Sequence, residues 1–102
     1  MSDRELLELA AKAAGVDFDG NTFIKRDRYS SNIWDPLFDD GDAMRLAVEL
    51  DIDVFQSTAH KEAQAGGAIP STIFEPWGDD KLAATRRAIV RAAAEIGRAM
   101  EN

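Results

Sequence analysis

The chain has 102 residues, of which 45% are apolar and 30% charged, with a formal net charge of −7 and no cysteine. A chain of this length makes one domain, expected to span residues 1–102, and buries enough surface to fold without a metal or a disulfide. The composition excludes wholesale disorder, and the missing thiols exclude disulfide scaffolds, thiolate zinc sites, iron–sulfur clusters and cysteine nucleophiles.

The residue usage suits a reducing cytosol. The opening Met1-Ser2-Asp3-Arg4-Glu5 does not read as a signal peptide. No apolar stretch approaches the ~20 residues of a membrane span.

In chain order, the first helix starts at Ser2. Ser2-Asp3-Arg4-Glu5 fits a capping box, in which the serine hydroxyl accepts from a backbone N–H and Glu5 reaches back. Leu6, Leu9, Ala10 and Ala13 share one face, and Gly15 is a natural stop because it tolerates the left-handed conformation. Asp17-Phe18-Asp19-Gly20-Asn21 resembles a calcium loop, but its glycine comes too early and Arg28 stands where the bidentate acid belongs. Thr22-Phe23-Ile24-Lys25 is a strand candidate. Tyr29 lies among Lys25, Arg26 and Arg28, a group read first as a solvated strand end and second as a contact for nucleic acid or an acidic protein.

A second helix starts near Asp39-Asp40-Gly41-Asp42, where carboxylates cap free N–H groups and favour the positive end of the helix dipole. Ala43, Leu46, Ala47 and Leu50 form its apolar stripe, and Arg45 and Glu49 are spaced to pair across one turn, worth ~0.3 kcal/mol. Ile52-Asp53-Val54-Phe55-Gln56 alternates as a strand does. Ser57 to Gly67 reads as a loop and the most mobile part of the chain. Ala68-Ile69-Pro70-Ser71-Thr72-Ile73-Phe74 is β-prone, with Pro70 placing it at an edge or bulge.

The third helix is capped by Asp79-Asp80 and runs to about Met100. Leu82, Thr85, Ile89, Ala92, Ile96 and Ala99 recur at steps of three and four, widened by Ala88, Ala93 and Met100. Burial of Leu82, Ile89 and Ile96 is expected to contribute roughly 1.5–3 kcal/mol each. The alanines permit close approach to a sheet or another helix. These elements predict an α+β fold, with about three helices and three or more short strands, the sheet packed between helices.

The charge is uneven: residues 1–80 carry a formal balance of −10 and residues 81–102 one of +3. The acidic body repels nucleic acid and anionic membrane. Arg87 and Arg91 share a helix face, with Arg86 offset by about 100°. This small guanidinium patch is a candidate for partner binding, and its preferred reading is pairing with the chain's own acids or across a dimer. Trp34 and Trp77, each beside a proline and an acidic residue, are further candidates for partner binding. Their preferred reading is as cover for a core edge, with the indole N–H hydrogen-bonded.

Catalytic signals are sparse. The Asp35, Asp39, Asp40 and Asp42 run fails the EF-hand pattern and reads first as capping. His60 is the only histidine, so a two-histidine zinc site is impossible within one chain. Ser57 and His60 lie close in sequence without a nucleophile elbow, and Gly66-Gly67 matches no phosphate-binding motif.

Three blocks carry a resemblance. Glu5-Leu6-Leu7-Glu8-Leu9-Ala10-Ala11-Lys12-Ala13-Ala14-Gly15, then Trp34-Asp35-Pro36-Leu37 with Asp39-Asp40-Gly41-Asp42-Ala43-Met44-Arg45-Leu46-Ala47-Val48, and finally Ala83 to Gly97 resemble the opening, middle and closing segments of the phage ABA sandwich domain family. A more distant similarity is to NinX-type proteins of lambdoid phages. The blocks cover about half the chain; residues 52–78 carry little of the resemblance, and Lys25 to Ser31 looks like an insertion.

The resemblance implies an α–β–α sandwich, a phage or prophage origin and the bacterial host cytosol. It implies no activity, no catalytic residue and no cofactor. The resulting expectation is a non-catalytic accessory module whose partner is a host or phage protein, with self-association as a further option and no membrane attachment. One alternative is a nucleic-acid accessory factor using Arg86, Arg87, Arg91 and Arg98. Another is a small metal-dependent enzyme using the Asp35–Asp42 cluster.

Overall fold

The computed structural model describes residues 1–19, 22–26, 31–67 and 69–101. Helix α1 (Asp3–Ala14) begins at Ser2, whose hydroxyl accepts from the Glu5 N–H at 3.1 Å while Glu5 accepts from the Ser2 N–H at 3.2 Å. These backbone and side-chain bonds to Ser2 hold the Glu5 carboxyl below its ordinary pKa. Gly15 ends the helix at φ +69°, the left-handed conformation expected of it.

Strands β1 (Asp17–Asp19), β2 (Thr22–Arg26) and β3 (Ser31–Ile33) form an antiparallel meander, with Phe18 opposite Phe23 and Ile24 opposite Ile33. The calcium-like segment is therefore partly strand. Gly20, Asn21, Arg28 and Tyr29 lie outside the described residues.

Helix α2 (Asp40–Glu49) starts at Asp39, whose carboxylate accepts from the Asp42 N–H at 2.7 Å. It buries Ala43, Leu46 and Ala47, while Leu50 is half-buried. Strands β4 (Ile52–Ser57), β5 (Glu62–Gly67) and β6 (Ile73–Pro76) form a second antiparallel sheet in the order β4-β5-β6. Two expectations are corrected here. Glu62–Gly67 is the central strand of this sheet rather than a loop, with Ala63 and Ala65 fully buried. The strand expected over 68–74 begins later, at Ile73, and Pro70 falls in the bend before it.

Helix α3 (Lys81–Ala99) is capped by Asp80, which accepts from the Ala83 N–H at 3.0 Å. It packs against α1, α2 and all three strands of the second sheet, whereas α1 reaches chiefly α3. The fold is thus α+β, a small antiparallel sheet packed against helices, with α3 at its centre. No helix among the described residues is long and apolar enough to cross a membrane.

Contact on several sides changes which positions of α3 are inside. Ala84, Ala88, Ile89, Val90, Ala92, Ala93, Ala94 and Gly97 are buried, a wider surface than one stripe. Leu82, expected to be buried, is 62% exposed in the first turn, and Met100 and Ala99 are exposed at the other end. Both ends overhang the neighbours, so periodicity alone misplaces them. Three-sided packing requires small side chains, and Ala63 and Ala65 of β5 answer the alanines of α3 from the sheet side.

The closest approach is at Gly97. A Cβ there would overlap the carbonyl of Leu9 on α1, with the Leu9 carbonyl carbon only 2.7 Å away. In an isolated helix alanine is favoured over glycine by about 1 kcal/mol. Here the order is expected to invert: Gly97→Ala lowers unfolding stability by roughly 1–3 kcal/mol, read from the urea midpoint. An unchanged or raised midpoint would show that α1 is not held against α3 at this contact.

Candidate functional site

Arg86, Arg87 and Arg91 of α3 stand at the rim of its apolar surface, and together they reach α2, α1 and β6. Arg86, 14% exposed, donates through Nε to the Leu37 carbonyl at 2.8 Å and through a terminal nitrogen to Asp40 at 2.6 Å. Asp40 opens α2, so this is the pairing expected with the acidic start of that helix. Arg87 meets Asp3 of α1 at 2.8 Å and lies 3.8 Å from Glu75 of β6. Arg91 donates to Glu75 at 2.7 Å and to the Phe74 carbonyl at 3.1 Å.

The Arg91 contact also closes part of a sheet edge. The Trp77 N–H donates to the Lys61 carbonyl at 3.0 Å, which sets the ladder phase so that the Phe74 carbonyl points away from β5. Arg91 occupies that outward carbonyl, and Pro76 presents no N–H two residues on. Both features blunt β6 against pairing with another chain.

Trp34 is 2% exposed and belongs to the core. Trp77 is half-buried and part of a closed circuit. Its Nε1 donates to Gln56 Oε1 at 2.8 Å, Gln56 Nε2 donates to Thr85 Oγ1 at 2.7 Å, and Thr85 Oγ1 donates to the Lys81 carbonyl at 2.8 Å. The Lys81 ammonium then sits 4.2 Å from the centre of the Trp77 ring. The circuit ties the end of β6 to β4 and to the first turn of α3. The indole is hydrogen-bonded as the core-edge reading expects.

Within the 35–42 segment, Asp39 and Asp42 are committed locally. Asp42 accepts from the Asp35 N–H at 2.8 Å and from Arg45 at 2.9 Å, and Arg45 lies 3.9 Å from Asp39. Burial pushes the Asp35 carboxyl above its ordinary pKa, the backbone N–H groups of Leu37 and Phe38 pull it back in part, and the charges of Asp42 and Asp39 add to the rise. One Asp35 oxygen, Oδ1, is buried without a hydrogen-bond partner. Ser57 Oγ accepts from the His60 N–H at 3.3 Å, closing a turn, and His60 is exposed. Among the described residues no group of three or more His, Cys, Asp or Glu side chains is placed to hold a metal ion.

What remains open is the outer face of the β4–β6 sheet. The inner face carries Ile52, Gln56, Ala63, Ala65, Ile73 and Glu75 toward α3, so the alternate residues point away. Across the strands, Phe55 stands opposite Gln64 and Gln64 opposite Phe74. Phe55 is 61% exposed and Phe74 53%. Beside this row lies a shallow depression of about 190 Å3 lined by Asp53, Phe55, Gln64, Gly66, Gly67 and Thr72. A second depression of about 300 Å3, between α1 and α3, is lined by Glu5, Glu8, Leu9, Arg98 and Glu101. Phe38, Met44 and Val48 are also exposed, around the start and outer side of α2.

The aromatic row is hidden in the sequence because β5 between its two members lacks strand-forming residues. Its signal was the alternation Glu62-Ala63-Gln64-Ala65, muted because alanine and glycine are poor strand formers.

Comparison of the chain with protein-family models, with curated proteins and with solved structures finds no match.

Two outcomes test these assignments. Glu75 is 18% exposed and serves two guanidinium groups, whereas Asp3 is 56% exposed and serves one. Glu75→Ala is therefore expected to cost roughly 1–3 kcal/mol in chemical denaturation and Asp3→Ala under about 1 kcal/mol; equal costs would contradict the assignment. For Asp35, a raised folded-state pKa means that stability falls as pH rises from the ordinary value of 3.8 through the folded value. Asp35→Asn removes that term, so the variant's stability relative to wild type should rise as the pH climbs above the ordinary 3.8. A pH-independent difference in Tm would exclude the effect.

Proposed function

We propose that this chain is a phage or prophage accessory protein of the ABA sandwich type, acting in the bacterial host cytosol as a non-catalytic module that binds a protein partner. The carrying observation is the uncovered pair Phe55 and Phe74 on the outer sheet face. Exposed aromatic side chains grouped on a rigid strand surface are the usual material of a protein-binding centre.

The chemistry elsewhere supports a binding role. Arg86, Arg87 and Arg91 answer carboxylates of α1, α2 and β6, so they form no unneutralised patch for a phosphate backbone. The Asp39–Asp42 carboxylates cap α2 or pair with arginine. The acidic surface that results disfavours nucleic acid. The phage setting rests on the resemblance of the three sequence blocks alone.

Capture from lysates of infected or lysogenic cells provides the test. Wild-type bait is expected to retain a specific partner at physiological salt. The Phe55→Ser, Phe74→Ser double variant is expected to lose it, with its urea midpoint nearly unchanged because both side chains are exposed. Equal recovery by both baits, or no specific partner, would sink the proposal.

A further inference from the structure

We propose that the outer face of the β4–β6 sheet docks an extended cationic segment of the partner protein, with an arginine or lysine side chain lying over Gly66 and its charge on Asp53. This inference rests on the protein-binding reading above and names the chemistry that the face selects.

The register defines the surface. Asp53 stands opposite Gly66, and Thr72 lies beside Gly66, 3.4 Å from where its Cβ would be. The next row is Phe55, Gln64 and Phe74, and the third is Ser57, Glu62 and Pro76. Gly66 contributes no side chain, so the first row has a low floor between Asp53 and Thr72. At about 190 Å3 the depression is smaller than the roughly 300–1,000 Å3 of small-molecule pockets and matches a single side chain.

Charge decides the occupant. The two ionisable side chains of this face are both acidic: Asp53 at one end, and at the other Glu62, which accepts from Gln64 at 3.1 Å. Asp53 is exposed and has no ionic partner among the described residues, and neither has its neighbour Asp51. Lys61, next to Glu62 in sequence, lies outside β5 and stands in the turn at φ +52°. A second copy of the same face would set Asp53 and Glu62 against like charges. A segment carrying positive charge at both ends and an apolar residue between them satisfies all three rows.

The spacing follows from strand geometry. Gly66 and Glu62 are four residues apart, about 13 Å along β5 at ~3.3 Å per residue. Residues i and i+4 of an extended peptide span the same distance on one face, with i+2 between them over Phe55 and Phe74. A guanidinium beside Phe55 gains a cation–π contact in addition to the Asp53 pair.

The probe is the capped peptide Arg-Ser-Leu-Ser-Arg, titrated at physiological salt into isotopically labelled protein, with Gln-Ser-Leu-Ser-Gln as its neutral counterpart. Expected are amide shifts at Gly66 and Gly67 with the arginine peptide and weaker binding of the neutral one. Asp53→Asn should weaken binding about tenfold. Asp79→Asn, which changes the net charge equally at an exposed position outside the three rows, should leave it unchanged. Gly66→Ala raises the floor without a clash, since its Cβ would make only ordinary contact with Thr72, and should weaken binding while the spectrum stays folded.

Equal weakening by Asp53→Asn and Asp79→Asn would overturn the site, as would arginine-peptide shifts that miss Gly66 and Gly67. Equal binding of the neutral peptide would overturn the charge selection while leaving the protein-binding reading intact. Concentration-dependent shifts at Gly66 without any peptide would make a second copy the occupant. Loss of the captured partner on Phe55→Ser, Phe74→Ser together with no response to the arginine peptide would fail this inference alone.

Discussion

The structure depends on how closely other elements can approach α3. A helix touched by α1, α2 and a sheet has no free side for bulky groups, and its buried positions are accordingly Ala84, Ala88, Ala92, Ala93, Ala94 and Gly97, with Ile89 and Val90 as the larger members. The neighbours comply: β5 presents Ala63 and Ala65, and α1 brings the Leu9 backbone to where Gly97 has no Cβ. Close packing of this kind tolerates little change in volume.

The same constraint organises the charges. Small side chains cannot reach beyond the interface, so the link from α3 to its neighbours falls to long arginines at the rim, whose stems lie along apolar surface while their heads find acids. Arg86 reaches α2, Arg87 reaches α1, and Arg91 reaches β6, where it also occupies an edge carbonyl. Three of the five cations of residues 81–102 are thereby neutralised within the molecule. The surface left outward is acidic, and two exposed phenylalanines, Phe55 and Phe74, stand on the sheet face turned away from α3.

Legibility varied with the range of the interactions involved. The starts of α1, α2 and α3 depend on a residue and the N–H three positions on, so Ser2, Asp39 and Asp80 are readable as caps from sequence. The link from Arg86 to Asp40 was readable as a charge complement, though its 46-residue separation hid the geometry. Leu82 misled because periodicity finds a face and says nothing about where a neighbour stops. β5 was lost because its strand character comes from hydrogen bonds on both sides rather than from the preferences of alanine, glutamine and glycine. With β5 missing, Phe55 and Phe74 could not be seen as one row, so the candidate face was illegible although each of its residues was in view.

By itself the sequence determined the α+β class, the three helices with their caps, the uneven charge and the poverty of catalytic groups, because each follows from local patterning or from composition. Tertiary structure decided which side of each element is covered. It turned a presumed loop into the central strand, committed the arginines to internal partners and left one sheet face bare. The arginine–carboxylate hydrogen bonds of α3 join residues 16 to 84 positions apart, and local pattern carries no information about which of several compatible surfaces will meet.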